Sequence, residues 1–279
     1  MTNTNIQQRR VRGHHGELSV RLQGDPKDPA IVMTHSILSS GAMWDEQAAL
    51  LAEQGWYVLR IDTTGHGDSP PPMTEAVTMD GLAADTIAVL DALGIARAHY
   101  VGLSLGGMSG FGLGIQHGER ILSLVLCAAR ADAPPAVAAP WDERIALADK
   151  HGTCAPLAGP TIERWFGKEF VAANPETTGR LQAIAAATSV RGFAGCARAI
   201  QGLDYLADVA RIATPTTLIV GSNDGVLPEA MRGLQQRIAG AALETIPHAG
   251  HLPNVDQRTA FNAALLRHFE QIRNQPLTH

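Results

Sequence analysis

The chain reads as an α/β protein, with a mostly parallel sheet flanked by helices and a helical insertion after the sixth strand. Three observations predict this. Short β-like runs alternate with longer helix-like stretches, the order that strand-crossover-strand units produce. Several of those runs are continuously apolar, as strands covered on both faces must be. One interval, 131–208, holds no convincing strand, although the alternation resumes beyond it.

Residues 11–22 read as the opening hairpin, with Gly13 to Gly16 at its turn. Further strands are expected at 30–34, 56–61, 99–101, 121–127, 216–220 and 242–246. Helices are expected at 43–54, 79–93, 105–118 and 229–237. A last helix at 258–273 carries Phe261, Leu265, Phe269 and Ile272 at near-helical spacing. Within the insertion, 131–140 is rich in Ala and Pro and reads as a hinge-like connection. Helices should follow at 141–148, 161–166, 175–187 and 192–205, with Asn174 before Pro175 as a helix start. Residues 1–130 and 209–279 would then form the α/β core, and 131–208 a helical cap over one edge of it. No internal repeat is visible.

Composition narrows the function classes. At 279 residues the chain can bury a sizeable core, and 45% hydrophobic with 18% charged residues is ordinary for a globular protein. A net charge of −5 and a pI near 6.1 lack the basic footprint of a nucleic-acid binder. The polar start, 1–10, lacks the apolar stretch of a secretory signal, and the strongest apolar run, 121–129, is too short to span a bilayer. A cytoplasmic location with no membrane or nucleic-acid partner is expected. Homo-oligomerisation is left open. Cys127, Cys154 and Cys196 are odd in number and widely spaced, which predicts reduced core residues rather than disulfides or a zinc knuckle.

Gly102-Leu103-Ser104-Leu105-Gly106 fits G-x-S-x-G, with an apolar strand before it and a helical stretch after it. A serine on so sharp a strand-to-helix turn has strained backbone angles, and glycines on either side let the chain reverse. Its hydroxyl would project at the carboxyl end of the sheet, where open α/β sheets place their ligands. An alcohol is a poor nucleophile near neutral pH and needs a base, which needs an orienting acid. Asp224, in "GSNDGVLP", follows the 216–220 run, and His251, in "HAGHLPN", follows the next strand. Ser104, Asp224, His251 is the chain order expected of a triad on such a turn. Asp132, after the 121–127 strand, is an alternative acid, and spacing alone does not exclude His248 as the base. His248 and His251 lack a third ligand at helical spacing, so no metal is expected. His66 and the His14-His15 pair read as turn residues. The tetrahedral intermediate needs backbone donors, expected from Leu105 and, in the loop after the 30–34 strand, from Ile37.

"THSILSSGAMWDEQ" (34–47), "LRIDTTGHGDS" (59–69), "LDALGIARAHYVGLSLGGM" (90–108) and "HAGHLPNVD" (248–256) resemble the α/β-hydrolase superfamily, and within it the 3-oxoadipate enol-lactonase group. The resemblance implies attack by Ser104 on a lactone or ester carbonyl, His251 as base and then acid, Asp224 as orienter, and no cofactor. Many relatives carry His-Gly in the oxyanion loop; this chain has His35-Ser36, and the enol-lactonases also carry a non-glycine residue there. The insertion would cover the pocket, with Trp141 and Trp165 lining it. A carboxylated lactone needs a cation, for which Arg130, Arg144, Arg164, Arg191 and Arg198 are candidates, Arg198 foremost. Carbon-carbon bond hydrolases and cofactor-free perhydrolases share this triad, so they remain rival readings. A non-catalytic small-molecule receptor is a rival from a different class.

Overall fold

The computed structural model describes residues 6–74 and 76–274, so Met1–Asn5 of the polar start lie outside the described residues. Eight strands, β1 (Gln7–Arg12), β2 (Glu17–Gln23), β3 (Ala30–Thr34), β4 (Tyr57–Asp62), β5 (Ala98–Leu103), β6 (Ile121–Cys127), β7 (Thr216–Gly221) and β8 (Ala242–Ile246), form one sheet in the order β1-β2-β4-β3-β5-β6-β7-β8. β2 runs antiparallel to β1 and β4, and every pairing from β4 to β8 is parallel. The eight strands agree with the sequence reading to within a few residues at their ends.

Strand periodicity assigns the two faces of the sheet. Val32, Leu59, Tyr100, Leu126 and Val220 point into one core, packed by α2 (Met79–Ala92), α3 (Leu105–Gln116) and α10 (Leu227–Arg237). Met33, Val58, Val101, Val125 and Ile219 point into the other, packed by α1 (Asp45–Glu53) and α12 (Arg258–Asn274). Both faces are covered, which explains why these strands read as unbroken apolar runs.

Between β6 and β7 lie α4 (Pro135–Ala138), α5 (Pro140–His151), α6 (Ala155–Phe166), α7 (Lys168–Ala173), α8 (Pro175–Ala187) and α9 (Val190–Gln201). An antiparallel bridge joins Asp132 to Asp204, and Tyr205 N–H donates to the Ala131 carbonyl at 2.7 Å, so the segment leaves and re-enters the sheet at one point. The expected hinge at 131–140 is instead half helical. α6 starts six residues before the expected 161 and runs through Pro160, whose ring removes one hydrogen bond without ending the helix. α9 starts at 190, where Ser189 caps it by accepting from Gly192 N–H at 3.0 Å, and ends at 201 rather than 205.

The four non-glycine residues with positive φ among the described residues are Leu38 (59°), Ser104 (55°), Ala128 (47°) and His248 (62°). They follow the carboxyl ends of β3, β5, β6 and β8, so backbone strain gathers along one edge of the sheet. No helix among the described residues is long and apolar enough to cross a membrane. Cys127, Cys154 and Cys196 are buried and unpaired.

Candidate active site

Ser104 sits between the last residue of β5 and the first of α3, at φ 55° and ψ −112°. Its two flanking glycines have distinct steric jobs. A Cβ on Gly102 would lie 2.3 Å from the Gly106 carbonyl oxygen, across the elbow itself. A Cβ on Gly106 would lie 2.3 Å from Thr34 Oγ1, so Gly106 is needed for α3 to approach β3. The elbow is pinned by Ser104 N–H to the Cys127 carbonyl at 2.9 Å and Gly106 N–H to the His35 carbonyl at 3.1 Å. Beneath it, Tyr100 Oη donates to the Gly106 carbonyl at 2.7 Å, and burial pushes its pKa up to about 12.

The loop after β3 is braced by a neutral histidine. Thr63 N–H donates to His35 Nε2 at 2.9 Å, which leaves Nδ1 to carry the proton and donate to the Ser36 carbonyl at 2.8 Å. Burial lowers the pKa of His35 to about 4, consistent with that tautomer. His66, its ring centroid 5.4 Å from that of His35, is a turn residue as expected but fully buried, and burial lowers its pKa to about 3. Within the braced loop, Ile37 N–H has no hydrogen-bond acceptor among the described residues, and neither has Leu105 N–H at the start of α3. Sequence reasoning missed the strut because a histidine bonded to the loop after the next strand, 28 residues on, leaves no spacing signal.

His251 Nδ1 lies 2.8 Å from Asp224 Oδ2, and both side chains are nearly buried. The other readings of the acid and base separate from this pair. Asp132 is held by Arg130 at 2.8 Å, and His248 is exposed, its backbone N–H donating to Ser222 Oγ at 2.8 Å. Ser104 and His251 are each 5% exposed, and among the described residues no hydrogen bond joins Ser104 Oγ to the imidazole. Such contacts are commonly long in unliganded sites and tighten with substrate. Ser104, Asp224 and His251 all follow carboxyl ends of the neighbouring strands β5, β7 and β8.

The helical segment reaches this rim through α6. Trp165 stacks on the His251 ring with centroids 6.2 Å apart, and its carbonyl accepts His251 N–H at 2.8 Å. Trp165 Nε1 is buried without a partner. Trp141, at the start of α5, is 8% exposed, packs near Phe193, and carries the Arg144 guanidinium 4.8 Å above its ring. Of the candidate cations, Arg130 is paired with Asp132, Arg191 donates to the Thr74 carbonyl, and Arg198 stands exposed on α9 away from any partner among the described residues. Arg144 and Arg164 line one cavity of about 220 Å³ between α5 and α6, together with Glu143 and Thr161. Neither makes an ion pair among the described residues; Arg144 is half-buried and Arg164 exposed, and desolvation in the cavity lowers the pKa of both. The charge of Arg144 lowers Arg164 further, while Asp224 acts on it in the opposite sense. Among the described residues no cluster of three metal-ligating side chains occurs.

Comparison with known proteins identifies the fold family. Two 3-oxoadipate enol-lactonases of Acinetobacter baylyi, numbered 1 and 2, are 34% and 32% identical to the chain, covering 88% and 87% of it and 90% and 89% of their own lengths. The crystal structure of the enol-lactonase from Burkholderia xenovorans LB400 superposes with a TM-score of 0.87 at 30% identity, covering 94% of this chain and all of that one (100%). The alpha/beta hydrolase fold family matches residues 29–257, most of the chain, and the relatives support hydrolase activity; the chain belongs to the alpha/beta hydrolase fold family.

Proposed function

We propose that the protein is a cofactor-free serine hydrolase of a small lactone or carboxylic ester, working through an acyl-enzyme on Ser104. One observation carries the reading. The Asp224–His251 hydrogen bond stands on the rim that also presents Ser104 on a strained elbow beside two backbone N–H groups without acceptors. Asp224 holds the imidazole with Nδ1 protonated, so Nε2 is the free base. As Ser104 Oγ bonds to the substrate carbonyl carbon, its proton passes to Nε2. The oxyanion takes hydrogen bonds from Leu105 and Ile37 N–H, donors that need no reorganisation. The ester C–O bond then breaks, and the leaving oxygen takes the proton from His251. For a lactone that oxygen stays tethered to the acyl group. Water, deprotonated by His251, attacks the acyl carbon and releases Ser104.

Trp165 supports the back of the imidazole, and Trp141 offers an apolar wall to the substrate. The likeness to enol-lactonases and the two unpaired guanidinium groups support a substrate with an acid group, held by Arg144 and Arg164 rather than by Arg198. The test is turnover of purified protein on an enol-lactone, an aryl ester and a vinylogous diketone. Hydrolysis of the first two, abolished by Ser104→Ala, is expected. Turnover of the diketone alone would move the protein to carbon-carbon bond hydrolysis, and no turnover of any would point to a receptor.

A further inference from the structure

The segment carrying His251 is held by more than Asp224. Its own N–H is bound by the Trp165 carbonyl, and the preceding residue, Gly250, donates its N–H to Asp256 Oδ2 at 2.6 Å. Asp256 closes α11 (Pro253–Asp256), a single turn that folds the carboxylate back over the start of the loop. Gly250 is wedged between these two supports. A Cβ there would lie 2.1 Å from the Trp165 carbonyl oxygen and 3.3 Å from Asp256 Oδ2. The second carboxylate oxygen, Oδ1, is buried with no partner. Asn254, on the same turn, donates from Nδ2 to the Met43 carbonyl at 2.8 Å, which ties the turn to the segment that leaves the Ile37 loop.

We propose that Asp256 is a positioning residue for His251, its carboxylate fixing the imidazole against Ser104 through the Gly250 N–H. This rests on the hydrolase reading above. A group whose proton transfer depends on hydrogen-bond contact is sensitive to small displacements, and a 1 Å error can cost about 10²-fold. Burial pushes the Asp256 pKa up to about 6, the Asp224 charge adds to this, and the backbone N–H bonds oppose it. The charged and titratable groups around it are Asp224, His251 and Arg258, the last lining the same groove and paired with Glu46.

The test uses the full chain and an aryl ester. Asp256→Ala should lower kcat about 10- to 100-fold with KM within about twofold. Asp256→Asn keeps an acceptor for Gly250 N–H and should restore kcat at pH 8 to within about threefold of wild type. Wild-type kcat in Asp256→Ala, with only the melting temperature lowered, would overturn the proposal. So would equal losses in both variants. Should Asp256→Ala not fold, a kcat more than about tenfold below wild type in Asp256→Asn, which keeps the acceptor, would overturn it alone. Ser104→Ala separates the two readings: if it retains full activity the hydrolase reading fails, whereas if it is inactive and the Asp256 variants behave as wild type only the positioning role fails.

Discussion

His251 and His15 each set Nδ1 against a carboxylate oxygen, 2.8 Å from Asp224 and 2.7 Å from Asp85, and both rings are buried. Their surroundings differ. His15 lies in the β1–β2 turn, fully enclosed under α2, with Asp85 also accepting its backbone N–H at 3.1 Å and Nε2 sealed without a partner. His251 lies at the strained rim after β8, backed by Trp165, with the serine elbow at the end of β5, three strands along the sheet. A cavity of about 20 Å³, lined by Asp85 on one side and Leu105, Gly106 and Ser109 on the other, separates the first pair from the underside of the elbow. A histidine–carboxylate bond is therefore not a site in itself. What distinguishes His251 is a serine on a strained elbow and two N–H groups without acceptors among the described residues on the same edge, while the His15 pair staples a hairpin to a helix.

Breaking the two pairs separately should expose that difference. Ser104→Ala should lower kcat about 10⁴-fold or more with an unchanged melting temperature, as steady-state kinetics and calorimetry would show. Asp224→Asn keeps the shape but admits the wrong tautomer, and should cost about 10²- to 10⁴-fold in kcat with little loss of stability. His15→Ala should do the reverse. Leaving Asp85 buried and unpaired should cost about 3 kcal/mol in urea unfolding, while the folded fraction keeps its kcat. A kcat loss in His15→Ala comparable to that in Asp224→Asn would erase the distinction.

Acid should destabilise the core in a way that belongs to neither pair. Burial lowers the pKa values of His35 and His99 to about 4 and of His66 and His268 to about 3. The unfolded chain takes up these protons near pH 6.5 and the folded chain does not, so stability is lost as pH falls from about 6.5 toward 4. The loss should be about 2 kcal/mol per histidine at pH 5. Urea midpoints between pH 7 and 5 measure it, and a flat profile would show that these rings take up protons as readily in the folded as in the unfolded chain. The smallest effect is expected from Trp165→Phe, which keeps the backbone bond to His251 and most of the stack; kcat should fall about threefold.

The strands were legible because both faces of the sheet are covered, and so was the elbow, because G-x-S-x-G follows one of them. Asp224 and His251 could be placed by strand order, but only geometry separates them from Asp132 and His248. The helical segment was less legible. Pro156 and Pro160 hid the first turn and a half of α6, and α7, six residues between Gly167 and Asn174, is too short to show a period. The role of Trp165 could not be read at all, since it depends on a carbonyl meeting a loop 86 residues further on. His15 looked like turn chemistry because its partner is 70 residues away.

The central claim, that Ser104 is a nucleophile activated by His251 and not by any other imidazole, is tested most directly by covalent labelling. Protein treated with diethyl p-nitrophenyl phosphate and read by intact-mass and peptide spectrometry should carry a single phosphoryl group on Ser104. The rate should collapse in His251→Ala and persist in folded His15→Ala. Labelling at another residue, or an undiminished rate in His251→Ala, would contradict the account.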